Sequence, residues 1–243
     1  MGSRVTTINI NTVEPAGATL TIGASGDTVK VNDSVKVNTV KDAGGNTLWV
    51  SNGSGVLSSV SGFGDALVLL STQTETDVTS IDFTSGIDST YKEYVFKFID
   101  IDVSATSAYW TFQVNAVGAS GFDETITSTW FYAALDEIAD GQFFSYGTSY
   151  DQANGTGYQT LAKGNQNDSD SSTAGELHLF NPSSTTYVKN FYARVHYMGA
   201  SSHPYAEDAH IAGYINTTSA IDEVSFKTSS GNFGGTVKMY GVK

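Results

Sequence analysis

The sequence predicts an all-β protein in which a short strand-rich leader precedes a C-terminal β-sandwich. Of its 29 Phe, Trp and Tyr residues, 28 lie from Phe63 onward and only Trp49 precedes them. Residues 1–62 carry equal numbers of acidic and basic side chains, so the whole net charge of -13 belongs to residues 63–243. Because aromatic side chains dominate the buried area of a core, we expect residues 63–243 to fold around their own core.

The leader, residues 1–62, shows very short strands in which apolar and polar residues alternate. The apolar pairs are Leu20/Ile22, Val29/Val31, Val35/Val37 and Leu48/Val50. Turn residues separate them, for example Gly44-Gly45-Asn46. A single layer of such strands leaves its apolar row in water, so we expect several copies, most simply a homotrimer, to close that row around an axis. The alternative is a flexible linker.

The body, residues 63–243, contains a series of segments with strand periodicity. The predicted strands are Leu67–Gln73, Tyr91–Val103, Tyr109–Val117, Thr125–Ala133, Phe143–Tyr146, Glu176–Phe180, Phe191–Met198, Ile211–Ile215, Glu223–Lys227 and Thr236–Val242. Helix signals are few, although Ala133–Ala139 could form one or two helical turns. Many short strands with little helix predict a sandwich, most simply a jelly roll.

Within the second of these strands the apolar pattern changes phase. Tyr94, Phe96 and Phe98 share one face, but the next apolar residues, Ile99 and Ile101, fall on the other parity. An extra residue in one strand shifts every following side chain to the opposite face. The sequence therefore predicts a β-bulge at Phe98–Ile99, or a strand that crosses from one sheet to the other.

Composition bounds the possible functions. The acidic body argues against nucleic acid, whose phosphates repel net negative charge, and against anionic membranes. No run of about 18 apolar residues predicts a transmembrane helix, and no charged-then-apolar segment predicts a secretory signal. The absence of cysteine excludes disulfides and thiolate metal sites.

Candidate catalytic and metal sites are weak. His203 and His210 flank Glu207 and Asp208, a set that could hold a divalent metal, but the stretch is predicted to be a solvated polar loop. Residues 165–172 alternate oxygen-bearing side chains without the Gly and distal Glu of a calcium loop. No phosphate loop, serine elbow or metalloprotease motif is present, so we predict no enzyme, no metal and no cofactor.

Three stretches of the body resemble structural proteins of tailed bacteriophages of marine bacteria, in particular of cyanobacteria. They are DSTYKEYVFKF (Asp88–Phe98), GELHLFNPSSTTYVK (Gly175–Lys189) and the C-terminal block from Gly213 to Lys243. The leader is similar to the small strand repeats of phage fibre and appendage proteins. Together these stretches cover roughly half of the chain. The resemblance implies a virion component, such as a tail-fibre or appendage protein, and carries over no catalytic motif.

We therefore expect a virion protein whose leader contacts other virion proteins and whose head contacts the host surface, through a glycan or a protein. The candidate binding loops are Gly141–Tyr158 and Gly199–His210. Their aromatic residues Tyr146, Tyr150, Tyr158 and Tyr205 are the candidate ligand contacts, although each could instead fill the core or a subunit interface. The alternatives are a head or tail decoration protein without a host ligand, and a depolymerase with a carboxylate pair in a groove.

Overall fold

The structure, a computed structural model, describes residues 39–41, 44–51, 54, 57–60 and 66–243. The chain divides into two units, residues 1–62 and residues 63–243, which are described separately. The leader strands predicted around Leu20/Ile22, Val29/Val31 and Val35/Val37 lie outside the described residues. Among the described residues, no helix is long and apolar enough to cross a membrane.

Strands account for nearly all regular structure in the described part of the chain. They are β1 (Thr39–Lys41), β2 (Thr47–Ser51), β3 (Leu57–Val60), β4 (Leu67–Val78), β5 (Ser80–Phe83), β6 (Glu93–Val103), β7 (Ala108–Ala116), β8 (Ile126–Asp136), β9 (Gln142–Tyr146), β10 (Ala153–Gly155), β11 (Gln159–Asn165), β12 (Thr173–Phe180), β13 (Lys189–Gly199), β14 (Tyr205–Ile215), β15 (Ile221–Thr228) and β16 (Phe233–Val242). The predicted all-β class is confirmed.

The first unit contains a three-stranded antiparallel sheet in the order β1-β2-β3. The predicted pair Leu48/Val50 lies in β2. The turn before β2 contains Gly45 with a φ of 82°, a left-handed conformation that glycine adopts without steric cost. The Gly44-Gly45-Asn46 turn predicted from the sequence is therefore confirmed.

The second unit is a jelly roll with one enlarged layer. Strands β4-β16-β6-β12 lie side by side, and β5-β15-β7-β11 form the facing layer. This is the two-layer strand order of a jelly roll, so the predicted sandwich is confirmed. Strands β13, β14, β8, β9 and β10 continue the first layer, which we call the large sheet; the four-stranded layer is the small sheet. The two join where Asn165 of β11 pairs with Gly199 of β13.

The core lies between the two layers and is filled by aromatic side chains at alternate strand positions. Phe98 of the large sheet contacts Trp110 of the small sheet, with ring centroids 5.8 Å apart. Phe112 contacts Phe191 across the same space at 5.0 Å. Each such edge-to-face pair adds about 0.5–1.5 kcal/mol beyond the area that it buries. The aromatic residues that distinguish the body in the sequence thus hold the two sheets together.

Strand β6 contains a bulge as predicted, but at Asp100 and not at Phe98–Ile99. Asp100 adopts a φ of 52°, and the register of β6 shifts at this point against both neighbouring strands, β12 and β16. Opposite the bulge, Gly235 of β16 has a φ of 125°, and a Cβ there would lie 2.5 Å from the backbone oxygen of Asp100. The bulge places Ile99 on the outer face, where it is exposed, while Ile101 returns to the core.

Two sequence predictions are wrong. Ala133–Ala139 is not helical, because β8 continues to Asp136 and is hydrogen-bonded by β14 on one side and β9 on the other. The predicted loop Gly199–His210 is a strand from Tyr205 onward. Its acidic residues are tolerated in a sheet because basic side chains on neighbouring strands pair with them. Strands β5, β10 and β11 were not predicted, because they are short or rich in polar residues.

Candidate functional site

The outer face of the large sheet carries a row of polar and aromatic side chains from consecutive strands. Register aligns Lys97, Glu176, Arg194, His210, Phe131 and Tyr146 across β6, β12, β13, β14, β8 and β9. Side chains two residues apart on a strand share a face, so a second row, formed by Ala174, His196, Asp208, Ala133 and Phe144, lies beside the first. These rows place residues that are distant in sequence on one surface.

A groove of about 420 Å³ lies between these rows. Its charged walls are formed by Lys97, Glu176, Arg194 and Asp208, with His196 and Ile99 also in the lining. The groove exists because Ala174 and Gly175 contribute almost no side chain to its floor. A Cβ at Gly175 would lie 2.4 Å from the backbone oxygen of Arg194, so the strands approach closely only with glycine there.

A second cavity of about 230 Å³ adjoins the groove and shares His196 with it. Its lining includes Leu135, Met198 and Tyr205, together with two acidic residues, Asp136 and Glu137. Together the two cavities cross from β6 to β8, a span of four inter-strand spacings or about 19 Å. The combined surface, here called the outer groove, therefore suits an elongated ligand better than a compact one.

The first cavity of the outer groove is balanced in charge although the body is strongly acidic. Arg194 donates from Nε to Asp208 Oδ1 at 3.0 Å and from Nη2 to Oδ2 at 2.8 Å. This hydrogen bonding lowers the pKa of Asp208 and raises that of Arg194. Lys97 Nζ lies 3.6 Å from Glu176 Oε2. Two cations thus face two carboxylates, and each pair offers donors and acceptors side by side.

Aromatic rings flank the outer groove on both sides. Two residues along the strands from Glu176 and Arg194, His178 of β12 stacks on Tyr192 of β13 with ring centroids 4.4 Å apart, and its Nδ1 lies 2.6 Å from Glu93 Oε1. Towards β9, His210 stacks on Phe131 at 5.1 Å, and Phe131 contacts the exposed Phe144. His178 points away from the core, because it alternates along β12 with the buried Leu177 and Leu179. The rings present flat apolar faces beside the charged pairs.

The set His203, Glu207, Asp208 and His210 does not converge. Alternation along β14 directs Asp208 and His210 to the outer face and Glu207 to the inner face. Glu207 is buried and accepts hydrogen bonds from Lys163 Nζ at 3.0 Å and from Tyr197 Oη at 2.6 Å. Within the residues that the structure describes, no group of three His, Asp or Glu side chains could hold a metal ion.

The stretch 165–172 forms the turn between β11 and β12. Ser171 is buried and its hydroxyl donates to the backbone oxygens of Gln166 and Asp168, at 2.8 and 2.9 Å. Gln166 donates from Nε2 to Asp168 Oδ2 at 2.8 Å. The alternating polar residues of this stretch therefore hydrogen-bond to one another and shape the turn.

The four predicted tyrosines have different surroundings. Tyr146 lies on the outer face, half exposed, and its hydroxyl donates to Asp151 Oδ2 at 2.6 Å. Tyr205 lines the second cavity and contacts Phe143. Tyr150 packs inside against Trp130 and Tyr109. Tyr158 lies on the small sheet, under the Lys227 ammonium and bonded to Ser225. Of the four, only Tyr205 lines the outer groove, while Tyr146 lies on the same outer face at the β9 end of the first row.

Sequence reasoning missed the charged residues of the outer groove. Lys97, Glu176, Arg194 and Asp208 each occupy an outward position on a predicted or observed strand, which is where solvated residues are expected. The outward position of these residues could therefore be predicted from the sequence, but it did not distinguish residues of a groove from ordinary solvated residues. Their association depends on the order and register of four strands, which no local pattern predicts.

Comparisons with known proteins find no counterpart: no family model, no curated protein and no solved structure matches the chain. The class that the fold and site define is a jelly-roll sandwich with an enlarged sheet and an elongated surface groove. Jelly rolls occur in capsid, lectin and enzyme domains alike. Fold alone therefore does not select a function.

Proposed function

We propose that the protein is a non-catalytic bacteriophage virion protein, a tail-fibre or appendage component that binds a neutral saccharide of the host surface. The observation that carries the binding proposal is the outer groove, which is elongated, pairs two cations with two carboxylates in its first cavity and has aromatic rings beside it. The resemblance of three body stretches to virion proteins of marine phages supports the virion setting. The jelly roll supports it further, since rigid sheets present recognition surfaces in many such folds.

Saccharides fit the chemistry of the outer groove. Neighbouring hydroxyl groups both donate and accept, and the Arg194–Asp208 pair offers donors and acceptors within one bidentate contact. Sugar C–H groups pack on the negative faces of aromatic rings, which Tyr192 and Phe131 supply. A net charge of -13 disfavours an anionic polymer, so a neutral glycan is the proposed class.

Asp208 is poorly suited to act as the general acid of glycoside hydrolysis. A general acid requires a carboxyl group whose pKa is raised, so that it holds a proton near neutral pH. In the outer groove, Arg194 instead lowers the pKa of Asp208. The Asp208 carboxylate therefore stays ionised and serves as a hydrogen-bond acceptor, which supports binding without turnover.

The N-terminal 62 residues are proposed to connect this head to other virion proteins and to assemble as a homotrimer. Their short apolar alternations cannot form a core alone, and three copies would cover them. Sedimentation of the full chain and of a chain lacking residues 1–62 tests this proposal. A full chain that sediments as a monomer across a wide concentration range would contradict it.

Binding is tested with purified protein on an array of neutral and acidic glycans and on marine cyanobacterial cells. Arg194→Ala and Asp208→Asn should each weaken binding by about tenfold or more, since each breaks the bidentate pair. The control is Lys227→Ala, which removes a cation from the small sheet, outside the outer groove. It should bind as the unchanged protein does.

The other outcomes point to the alternatives. Release of sugar from host polysaccharide would make the protein a depolymerase. An absence of binding, combined with particles in which the body lies flat on the capsid or tail, would make it a decoration protein. Preferred binding to acidic glycans would overturn the neutral ligand class while leaving the site in place.

A further inference from the structure

We propose that Lys163 of β11 and Glu207 of β14 condense into an amide cross-link, an isopeptide bond. Their side chains are only 16% and 4% exposed. Lys163 Nζ lies 3.0 Å from Glu207 Oε1 and 2.9 Å from Oε2. These two distances keep the nitrogen within about 3.5 Å of the carboxyl carbon, the range in which reacting atoms stand before a bond forms. The buried ion pair is therefore placed as the reactant of this step.

The side chains around the pair hold the carboxyl group in place. Tyr197 is fully buried, and its hydroxyl donates to Glu207 Oε2 at 2.6 Å. Burial, followed by the neighbouring Glu207 carboxylate, raises the pKa of Tyr197, so the hydroxyl keeps its proton and remains a donor. The ring of Tyr132 lies 4.3 Å from Lys163 Nζ. A Cβ at Gly199 would lie 2.6 Å from Glu207 Oε1, so glycine at this position leaves room for the carboxyl group.

Burial favours the amide over the ion pair. An ammonium and a carboxylate that are removed from water carry a desolvation cost that a neutral amide does not carry. The fixed strands also replace a chance encounter, since well-oriented groups react as if at effective concentrations of about 10⁵–10⁸ M. The same environment that makes the ion pair costly therefore favours its condensation.

The reaction needs no reagent from outside the protein. A proton first passes from the Lys163 ammonium to Glu207 Oε1, which leaves an amine and a carboxylic acid. Rotation about the Cγ–Cδ bond turns the face of the carboxyl group to Nζ, whose lone pair attacks Cδ. Tyr197 stabilises the negative charge that develops on Oε2. The Nζ–Cδ bond forms, the Cδ–Oε1 bond breaks, and the hydroxyl group takes a proton from Nζ and leaves as water. One ammonium and one carboxylate thus become one amide and one water molecule.

The cross-link lies where the two sheets have little backbone pairing. Strand β13 stands between β11 and β14 in the strand order, and β11 pairs with β13 only through Asn165 and Gly199. The chain has no cysteine, so a disulfide cannot strengthen this junction. Lys163 and Glu207 are 44 residues apart in the chain. An amide between them would restrict the unfolded chain as a disulfide closing the same loop does.

Intact mass spectrometry of the full chain under denaturing conditions tests the proposal. The mass should be lower than that of the linear chain by one water molecule, and protease digestion should give a branched peptide that joins Lys163 to Glu207. Lys163→Arg keeps the positive charge, but a guanidinium stays protonated and is no nucleophile, so this variant should show the full linear mass. The matched control is Lys97→Arg, which changes the exposed pair with Glu176 and should retain the loss of water.

Two results would overturn the proposal. One is a full linear mass for the unchanged protein after prolonged incubation in its folded state, which circular dichroism verifies. The other is a loss of water that persists in Lys163→Arg or that maps to a different peptide, such as the one containing Asp140-Gly141. Neither result depends on what the outer groove binds, so this test is independent of the proposed function.

Discussion

Lys189 is a fully buried lysine at the start of β13. Its ammonium group donates to the backbone oxygens of Tyr187 and Thr217 at 3.1 and 3.0 Å. Lys189→Met removes both donors and leaves two carbonyl groups without these partners, which should lower the free energy of unfolding by about 1–3 kcal/mol. Urea unfolding measures the loss. The exposed Lys92→Met is the control and should be nearly neutral.

The effect of Lys189 should depend on pH. Burial lowers the pKa of its ammonium, and Glu124 only partly opposes this shift. Between the lowered pKa and the ordinary value of 10.5, the unfolded chain binds a proton that the folded chain lacks. Stability of the unchanged protein relative to Lys189→Met should therefore rise with pH across that window. A difference that stays constant from pH 7 to pH 10 would contradict this expectation.

At the scale of elements, the bulge of β6 depends on its partner strand. Gly235 of β16 combines a φ of 125° with a close approach to Asp100. Gly235→Ala should destabilise the protein by about 2 kcal/mol or more, because left-handed strain and a clash act together. Gly118→Ala is the matched control: its φ is 80° but no atom lies within 4 Å of the added Cβ. If Gly235→Ala and Gly118→Ala lower the free energy of unfolding equally, the backbone at Asp100 moves away from the added Cβ without cost.

The junction of the two sheets is held by a buried ion pair. Lys163 of β11 lies 2.9 Å from Glu207 Oε2 of β14, close to the pairing of Asn165 with Gly199. Lys163→Met leaves Glu207 buried without its counter-ion and should cost about 3–5 kcal/mol.

The exposed ion pair Lys97–Glu176 of the outer groove is the control for the buried pair Lys163–Glu207. Lys97→Met breaks a pair that is about 40% exposed on both sides and should cost at most about 1 kcal/mol. Thermal or urea unfolding distinguishes the two. A similar, small loss in both variants would show that the sheets do not depend on the buried pair.

Elements could be predicted from the sequence where one face was apolar. Trp110, Phe112 and Val114 of β7 alternate with polar residues, and all three lie in the core. Strand β14 was mostly missed, because Glu207, Asp208 and His210 give it the composition of a loop. Hydrogen bonds to β13 and β8 hold it as a strand, and Lys163 and Arg194 pair with its acidic residues. These partners all lie elsewhere in the sequence.

At the scale of the whole molecule, the body should fold without the leader. Among the described residues, the buried core of the sandwich runs from Ile81 to Met239, so removing residues 1–62 deletes none of it. The truncated protein should remain soluble and unfold in one cooperative transition. Calorimetry or circular dichroism during heating tests this. A truncated body without cooperative unfolding would show that the two parts are not independent.

Side-chain alternation along single strands was enough to predict the all-β class, the aromatic core and the presence of a bulge in β6. The tertiary structure alone decided that Lys97, Glu176, Arg194 and Asp208 form one groove, and that β9 is an edge. Those features depend on which strands become neighbours and in which register. Strand pairing is non-local: the hydrogen bonds that align Lys97 with Glu176 join residues far apart in the chain, and only the packed core selects that alignment.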